Sequence, residues 1–294
     1  MSLTTEPRTP TATARPGRVW IITPAPRHER FAAALNSDAH VALADIEDSV
    51  AAADKQLARD TASRFVDHDT NRTSGGAEPL RGVRINAVTT RDGLADLLAL
   101  AGWQRRADVV LIPKVEAARD IEIAAAVLDT DTHTPHLWAL IETPRALADL
   151  PAIVAAPWLG GVVFGSADYA ATLGCGLDWN SLLHARTTVV TVAAAAGKPA
   201  VDAPYFDLDD LDGLRREAEN AKRLGFLGKG AVHPRQAEVL REVFAPSQAE
   251  IDHARAVVAA ETASGGGITR VDGQMIGTPF FSAAHRLLAE VDGR

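Results

Sequence analysis

Apolar residues along the chain fall in short, nearly unbroken runs that end on polar groups, with helix-compatible stretches between them. Eight such runs read as strands: 18–23, 40–46, 82–86, 108–113, 135–143, 161–168, 199–202 and 231–233. None alternates cleanly between apolar and polar positions, so each suits a parallel strand covered on both faces. Helical spacing is predicted over 26–36, from Asp48 or Ser49 to Phe65, through Leu94–Leu100, up to Val127, and over 181–196 and 209–224. Residues 66–80, with Asn71, Gly75, Gly76 and Pro79, read as a loop.

Eight strand–helix units in about 230 residues fit an α/β fold of the closed (β/α)₈ TIM-barrel type. An open doubly wound sheet is the alternative, but no glycine-rich phosphate fingerprint follows the first strand. The expected organisation is a loose tail over 1–17, a barrel over 18–245 and a C-terminal helical extension over 246–294. Within that extension a helix at 247–263, a flexible hinge at Ser264–Gly267 and a helix at 280–291 are expected to reach a neighbouring subunit.

Candidate chemistry lies at the strand ends, because the active sites of such barrels are built there. Reading those ends in order gives Asp45, Glu47 and Asp48, then Arg84 and Asn86, Lys114 and Glu116, Glu142, Asp168, Asp202 and His233. Most of these acids would repel one another without a cation. Glu142 and Asp168 are the candidate metal ligands, and Mg²⁺, or Mn²⁺ in its place, is the expected ion, since Mg²⁺ takes one or two protein carboxylates and completes its shell with water and substrate oxygens. Arg84 is the candidate grip for a substrate carboxylate. Glu142 and the small residues Gly165, Ser166 and Ala167 complete the candidate substrate site, and Glu47 and Asp48 join Arg84 as candidate catalytic groups. The bland alternatives stay open here: each acid caps the following helix, and Arg84 forms an ion pair with Glu47 or Asp48.

Composition narrows the partners. The 294 residues are 47% hydrophobic with a formal charge of −8 and no basic block, which argues against nucleic acid or an anionic membrane. The single cysteine, Cys175, builds no disulfide framework, and a reducing cytoplasm is expected. No apolar run reaches the roughly 18 residues needed to span a bilayer.

The ordered set Asp45-Ile-Glu47-Asp48, Val83-Arg84-Ile-Asn86, Ile112-Pro-Lys114-Val-Glu116, Ile141-Glu142-Thr143 and Gly165-Ser-Ala-Asp168, followed by Leu173-Gly174, resembles the HpcH/HpaI aldolase and citrate lyase β-subunit (CitE-like) family. Gly225-Phe226, Gly228-Lys229 and His233-Pro234-Arg-Gln236 continue the resemblance. It implies a trimeric or hexameric barrel enzyme, a C–C lyase or aldolase, with Mg²⁺ on Glu142 and Asp168 and a substrate carboxylate on Arg84. Its substrates would be keto acids and citryl, citramalyl, malyl or 3-hydroxyacyl thioesters, often of coenzyme A. Two stretches depart from the family pattern. The opening reads Ile22-Thr23-Pro24-Ala25-Pro26, where the resemblance implies coenzyme A contacts. Gly277, in Met275-Ile276-Gly277-Thr278-Pro279, stands where relatives carry an aspartate that acts as acid/base from a neighbouring chain. Two other expectations compete with the metal-dependent lyase: a Schiff-base aldolase using Lys114 or Lys229, and a non-autonomous subunit that works beside an acyl-carrier partner.

Overall fold

The computed structural model of the chain describes residues 10, 11, 16–68 and 78–292. Most of the expected tail and the centre of the 66–80 loop lie outside the described residues. The chain divides into two compact units, the first ending at Phe244 and the second beginning at Ala245.

In the first unit eight parallel strands close into a barrel in sequence order: β1 (Val19–Pro24), β2 (Val41–Asp45), β3 (Leu80–Arg84), β4 (Val109–Ile112), β5 (His136–Ile141), β6 (Leu159–Phe164), β7 (Ala200–Asp202) and β8 (Gly228–Ala231). β8 pairs with β1 to complete the ring. Strand side chains alternate between two cores. Trp20, Leu43, Leu111, Leu140, Val163 and Val201 fill the barrel interior, where the Trp20 and Trp138 rings meet edge-on at 4.6 Å. Their strand neighbours, such as Ile21, Ala44, Ile112, Ile141 and Phe164, pack outward against the helices. This double burial is why the strands carry continuous apolar runs instead of alternating ones.

The TIM-barrel expectation holds, with four local corrections. The eighth strand lies at Gly228–Ala231, earlier than the expected 231–233. Gly-Lys-Gly-Ala carries almost no apolar bulk because its backbone presses against its neighbours. A Cβ on Gly228 would lie 1.7 Å from the Arg18 carbonyl oxygen, and one on Gly230 would lie 2.9 Å from Pro204. A helix at Pro234–Phe244, not expected from the pattern, follows it and completes the ring of units. The helix expected to start at Asp48 or Ser49 begins at Lys55 instead. The Asp45 carboxylate accepts the backbone N–H groups of Glu47 and Ser49 and holds that stretch as a loop. The sixth strand ends at Phe164, which leaves Asp168 in the first turn of the helix Ser166–Leu173.

The second unit contains two helices, Gln248–Ala263 and Thr278–Asp292, with the antiparallel pair Thr269–Val271 and Gln274–Ile276 between them. Ala254, Val257, Val271, Ile276, Phe281 and Ala284 form its core. The expected hinge at Ser264–Gly267 is an ordered helix cap: Gly265 and Gly266 take positive φ, and their N–H groups return to Thr262 and Glu261.

Gly228→Ala tests the tight β8–β1 seam. Its methyl meets backbone, which cannot rotate away, so a loss of about 3 kcal/mol or more is expected. Urea unfolding of the two proteins measures it.

Candidate active site at the barrel mouth

The strand alternation that points Leu43, Leu140 and Val163 inward also points inward the groups two residues further along: Asp45, Glu142 and Gly165. Asp45 and Arg84 are register partners on adjacent strands. Both face the interior, and they meet there. Arg84 donates from Nε and Nη2 to the two Asp45 oxygens, each at 2.7 Å. Its Nη1 lies 3.2 Å from Glu47 Oε2, an atom that is buried and makes no well-aligned hydrogen bond. Burial pushes the Asp45 carboxyl up, but the Arg84 hydrogen bonds and charge outweigh it, leaving Asp45 below the usual carboxylate range. For Glu47 burial wins over Arg84 and Lys114, and its carboxyl is raised. The expected alternative for Arg84, an ion pair, is therefore present, although Asp45 is its main partner and Asp48 is not one. The edge of the guanidinium that carries Nε is committed to Asp45.

Lys114 is the second organising group. It follows β4 with φ +51°, a left-handed conformation uncommon for a residue with a side chain. Its N–H donates to Glu142 Oε1 at 2.7 Å. Its Nζ donates to Glu47 at 2.6 Å and Asp48 at 3.1 Å, and lies 3.9 Å from Asp168. Burial opposes the charge on Lys114, but Glu47 and Asp48 outweigh it and raise its pKa above the ordinary value. A protonated, paired amine is a poor Schiff-base nucleophile.

Glu142 is 3% exposed and sits against Gly165, where a Cβ would fall 2.5 Å from its own Cβ. It caps no helix. Thr143 does that, accepting the Ala146 N–H at 3.0 Å. Burial, followed by the negative charges of Glu47 and Asp168, outweighs the Lys114 N–H and Arg84 and pushes the Glu142 carboxyl up to about 8. Asp168, at 39% side-chain exposure, faces the same space. A cavity of about 260 Å³ opens there, and its polar lining is Asp48, Arg84, Glu142, Ser166 and Asp168, together with Gly165 and Ala167.

A divalent cation fits this donor set. Two carboxylates border one open space, and the inner one is driven towards protonation by burial and by the very charges a cation would offset. No group of three or more His, Cys, Asp or Glu side chains among the described residues is arranged to cage a metal. Mg²⁺ needs only one or two protein carboxylates and keeps its other positions for water and substrate.

Four other strand-end groups leave the site. Asn86 bonds to Asp96 at 2.7 Å, to the Ile46 carbonyl at 3.0 Å and to Lys55 at 2.6 Å, outside the barrel. Glu116 accepts the Thr143 hydroxyl at 2.9 Å. Asp202 and Lys229 are fully buried and lie 2.6 Å apart, in a network with Arg186 and Glu217. Lys229 is thereby excluded as a nucleophile. His233 accepts the Arg235 N–H at 3.2 Å and does not line the cavity. Missing from the expected site residues were Asp45 as the Arg84 anchor, which register pairing with Arg84 would have signalled, and the apolar lining of the cavity, for which no motif existed.

Residues 19–234 match the family model described as HpcH/HpaI aldolase/citrate lyase. The chain belongs to this family. It is 35% identical over 284 residues to a (3S)-malyl-CoA thioesterase of Cereibacter sphaeroides, covering 95% of this chain and 96% of the relative. The CitE protein of Mycobacterium tuberculosis, solved in complex with magnesium, acetoacetate and coenzyme A, aligns with a TM-score of 0.77 at 34% identity, over 94% of this chain and 98% of that one. A citrate lyase β subunit of M. tuberculosis complexed with oxaloacetate and magnesium aligns at 0.65 and 34% identity, over 78% of this chain and 97% of the other. No described helix is long and apolar enough to cross a membrane.

The raised Glu142 carboxyl sets a sign for pH dependence. Its folded pKa of about 8 lies above the ordinary 4.5, so the folded metal-free protein holds that proton more tightly than the unfolded chain. The resulting stabilisation is complete below about 4.5 and is lost as pH rises through 8, with a ceiling of about 5 kcal/mol. In EDTA, wild type should lose more of its thermal stability between pH 5 and pH 8 than Glu142→Gln does, as calorimetric scans at several pH values would register.

Proposed function

We propose that this protein is a Mg²⁺-dependent carbon–carbon lyase or aldolase acting on a 2-keto acid, alone or as part of an acyl-coenzyme A thioester. The observation that carries this reading is the convergence of Glu142, Asp168 and Arg84 on one cavity at the C-terminal mouth of the barrel. Glu142 and Asp168 would hold the ion. When bound, the ion supplies Lewis-acid charge for the enolate oxygen that develops as a C–C bond is made or broken.

The protein's own groups do the remainder. Arg84, fixed in orientation by Asp45, directs positive charge into the cavity for the substrate carboxylate. The N-terminal turn of the helix Ser166–Leu173 carries no side-chain cap, so its backbone N–H groups at Ser166 and Ala167 are suited to an anionic oxygen. Lys114 keeps Glu47 and Asp48 paired beside the site, and its backbone holds Glu142 in place. The family's solved complexes with magnesium and keto acids support the same assignment. Exposed Ile268 and Met275 on the second unit support a homo-oligomer in which that unit docks on another copy.

Gly277 favours a second reading, in which metal and keto acid bind but hydroxyacyl-coenzyme A cleavage is weak. Glycine here opens the helix Thr278–Asp292, and its carbonyl accepts the N–H groups of Phe280 and Phe281 at 2.9 and 3.2 Å. It has no group to move a proton, and a positioned acid/base contributes about 10²–10⁴-fold.

Two measurements test these readings. Calorimetric titration should find Mg²⁺ binding to wild type and at least about tenfold weaker binding to Glu142→Gln and to Asp168→Asn. Unchanged affinity in both variants would sink the metal assignment. Gly277→Asp should raise malyl- or citramalyl-coenzyme A turnover in excess Mg²⁺ by about 10²-fold or more. The fold accommodates that change, because a Cβ at 277 lies 3.6 Å from Ile268 and aspartate is a favoured residue ahead of a helix. A wild-type rate already within about 1–10³ per second, with no gain in the variant, would show the missing aspartate to be irrelevant.

A further inference from the structure

Lys114 meets both of the carboxylates proposed to hold the ion. Its main-chain N–H donates to Glu142 Oε1 at 2.7 Å, and its ammonium lies 3.9 Å from Asp168 Oδ2. Among the described residues this is the one ion pair that Asp168 makes. The same ammonium is shared with Glu47 at 2.6 Å and Asp48 at 3.1 Å. The mouth thus gathers the carboxylates of Asp45, Glu47, Asp48, Glu142 and Asp168 against the cations of Arg84 and Lys114 alone.

The two cations differ in freedom. Arg84 is 18% exposed and donates to both Asp45 oxygens, which fixes its plane. Lys114 and Asp168 are 41% and 39% exposed, and their separation is too long for a hydrogen bond. Their attraction is that of two charges, and an ammonium is a point charge on a flexible stem. Lys114 can therefore leave Asp168 while it keeps Glu47. A divalent ion on Asp168 would meet that ammonium as a like charge. Even in fully water-screened surroundings, a single positive charge a few ångströms from a divalent ion weakens the ion's binding about tenfold.

We propose that Lys114 is a tethered counter-ion for the empty site that competes with the metal: its ammonium balances Asp168 until an ion enters, must then give Asp168 up, and so sets how tightly Mg²⁺ is held. This rests on the assignment of Mg²⁺ to Glu142 and Asp168 above, and adds a residue that tunes the ion without binding it. The ammonium acts in two opposed directions. It lowers the cost of crowding carboxylates in the metal-free protein, and it lowers the affinity for the ion that replaces it. A lysine that only braced the site would shift stability and affinity the same way.

The test combines calorimetric titration of the metal-free full chain with MgCl₂ and thermal scans in EDTA. Lys114→Met keeps an unbranched side chain at the positive φ and keeps the N–H to Glu142, but removes the charge. It should bind Mg²⁺ about tenfold or more tightly than wild type, with one ion per chain, and should melt at a lower temperature in EDTA. Lys114→Gln, which retains an amide donor for Glu47, should behave alike and carries the test if the methionine variant does not fold. Lys114→Arg keeps the charge and should stay within about threefold of wild type. Equal or weaker Mg²⁺ affinity in the neutral variants, a second ion bound by them, an unchanged melting temperature in EDTA, or equal tightening by Lys114→Arg overturns this inference alone. Absence of Mg²⁺ binding in wild type and the neutral variants alike overturns it together with the assignment it rests on.

Discussion

A carboxylate buried at the top of a hydrocarbon core is the constraint around which the mouth of this barrel is built. Glu142 ends a strand whose five preceding residues are buried and apolar, and it is itself almost inaccessible. Desolvating such a charge costs several kcal/mol unless partners replace the lost water. The neighbouring structure supplies only part of that replacement: one backbone N–H from Lys114 and the more distant charge of Arg84. Glycine at 165 follows from the same crowding, since any side chain there would collide with Glu142. The strained backbone at Lys114 has the same origin, because it aims an N–H at Glu142 while its side chain crosses to Glu47. Strain held by its surroundings in this way is characteristic of sites where geometry serves function.

The barrel holds two groups of buried charge, and they differ in kind. Arg186, Asp202, Lys229 and Glu217 lie between the barrel and its helices, and every one of these side chains finds an opposite charge. Arg186 also covers the Trp179 ring at 4.5 Å. The charges of that group balance, although Arg186 Nη1 is buried without a hydrogen bond, and none of the four residues lines the cavity at the mouth. At the mouth, by contrast, acids outnumber bases, one Glu47 oxygen has no well-aligned hydrogen bond, and open space adjoins the surplus. Unbalanced charge next to a cavity is what a ligand site presents, and it supports the site proposed at the mouth.

Much of this was legible along the chain, and the misreadings share a cause. Continuous apolar runs separated by helical spacing pointed to a closed parallel barrel, and polar residues at the run ends pointed to Arg84, Glu142 and Asp168. Strand ends, however, carry polar groups on both faces, and ending a strand does not say which face. Parity does: Val201 belongs to the interior, so Asp202 must face outward, whereas Leu140 and Glu142 share a side. Counting by twos from the bulky interior residues would have separated Asp202 from the site. The eighth strand was placed too late along the chain for a different reason. Gly228 and Gly230 are selected by backbone contacts with distant segments, and hydrophobic pattern carries no record of such contacts.

Lys114 links two sides of the mouth through a single residue. Its main chain holds Glu142 at the end of β5, and its side chain holds Glu47 and Asp48 just beyond β2, three strands away around the ring. A displacement of the loop after β2 is therefore transmitted through one amino-acid unit to the carboxylate that ends β5. A shift of that loop would reach the proposed ion site by two routes, through Lys114 to Glu142 and through Asp48, which lines the same cavity.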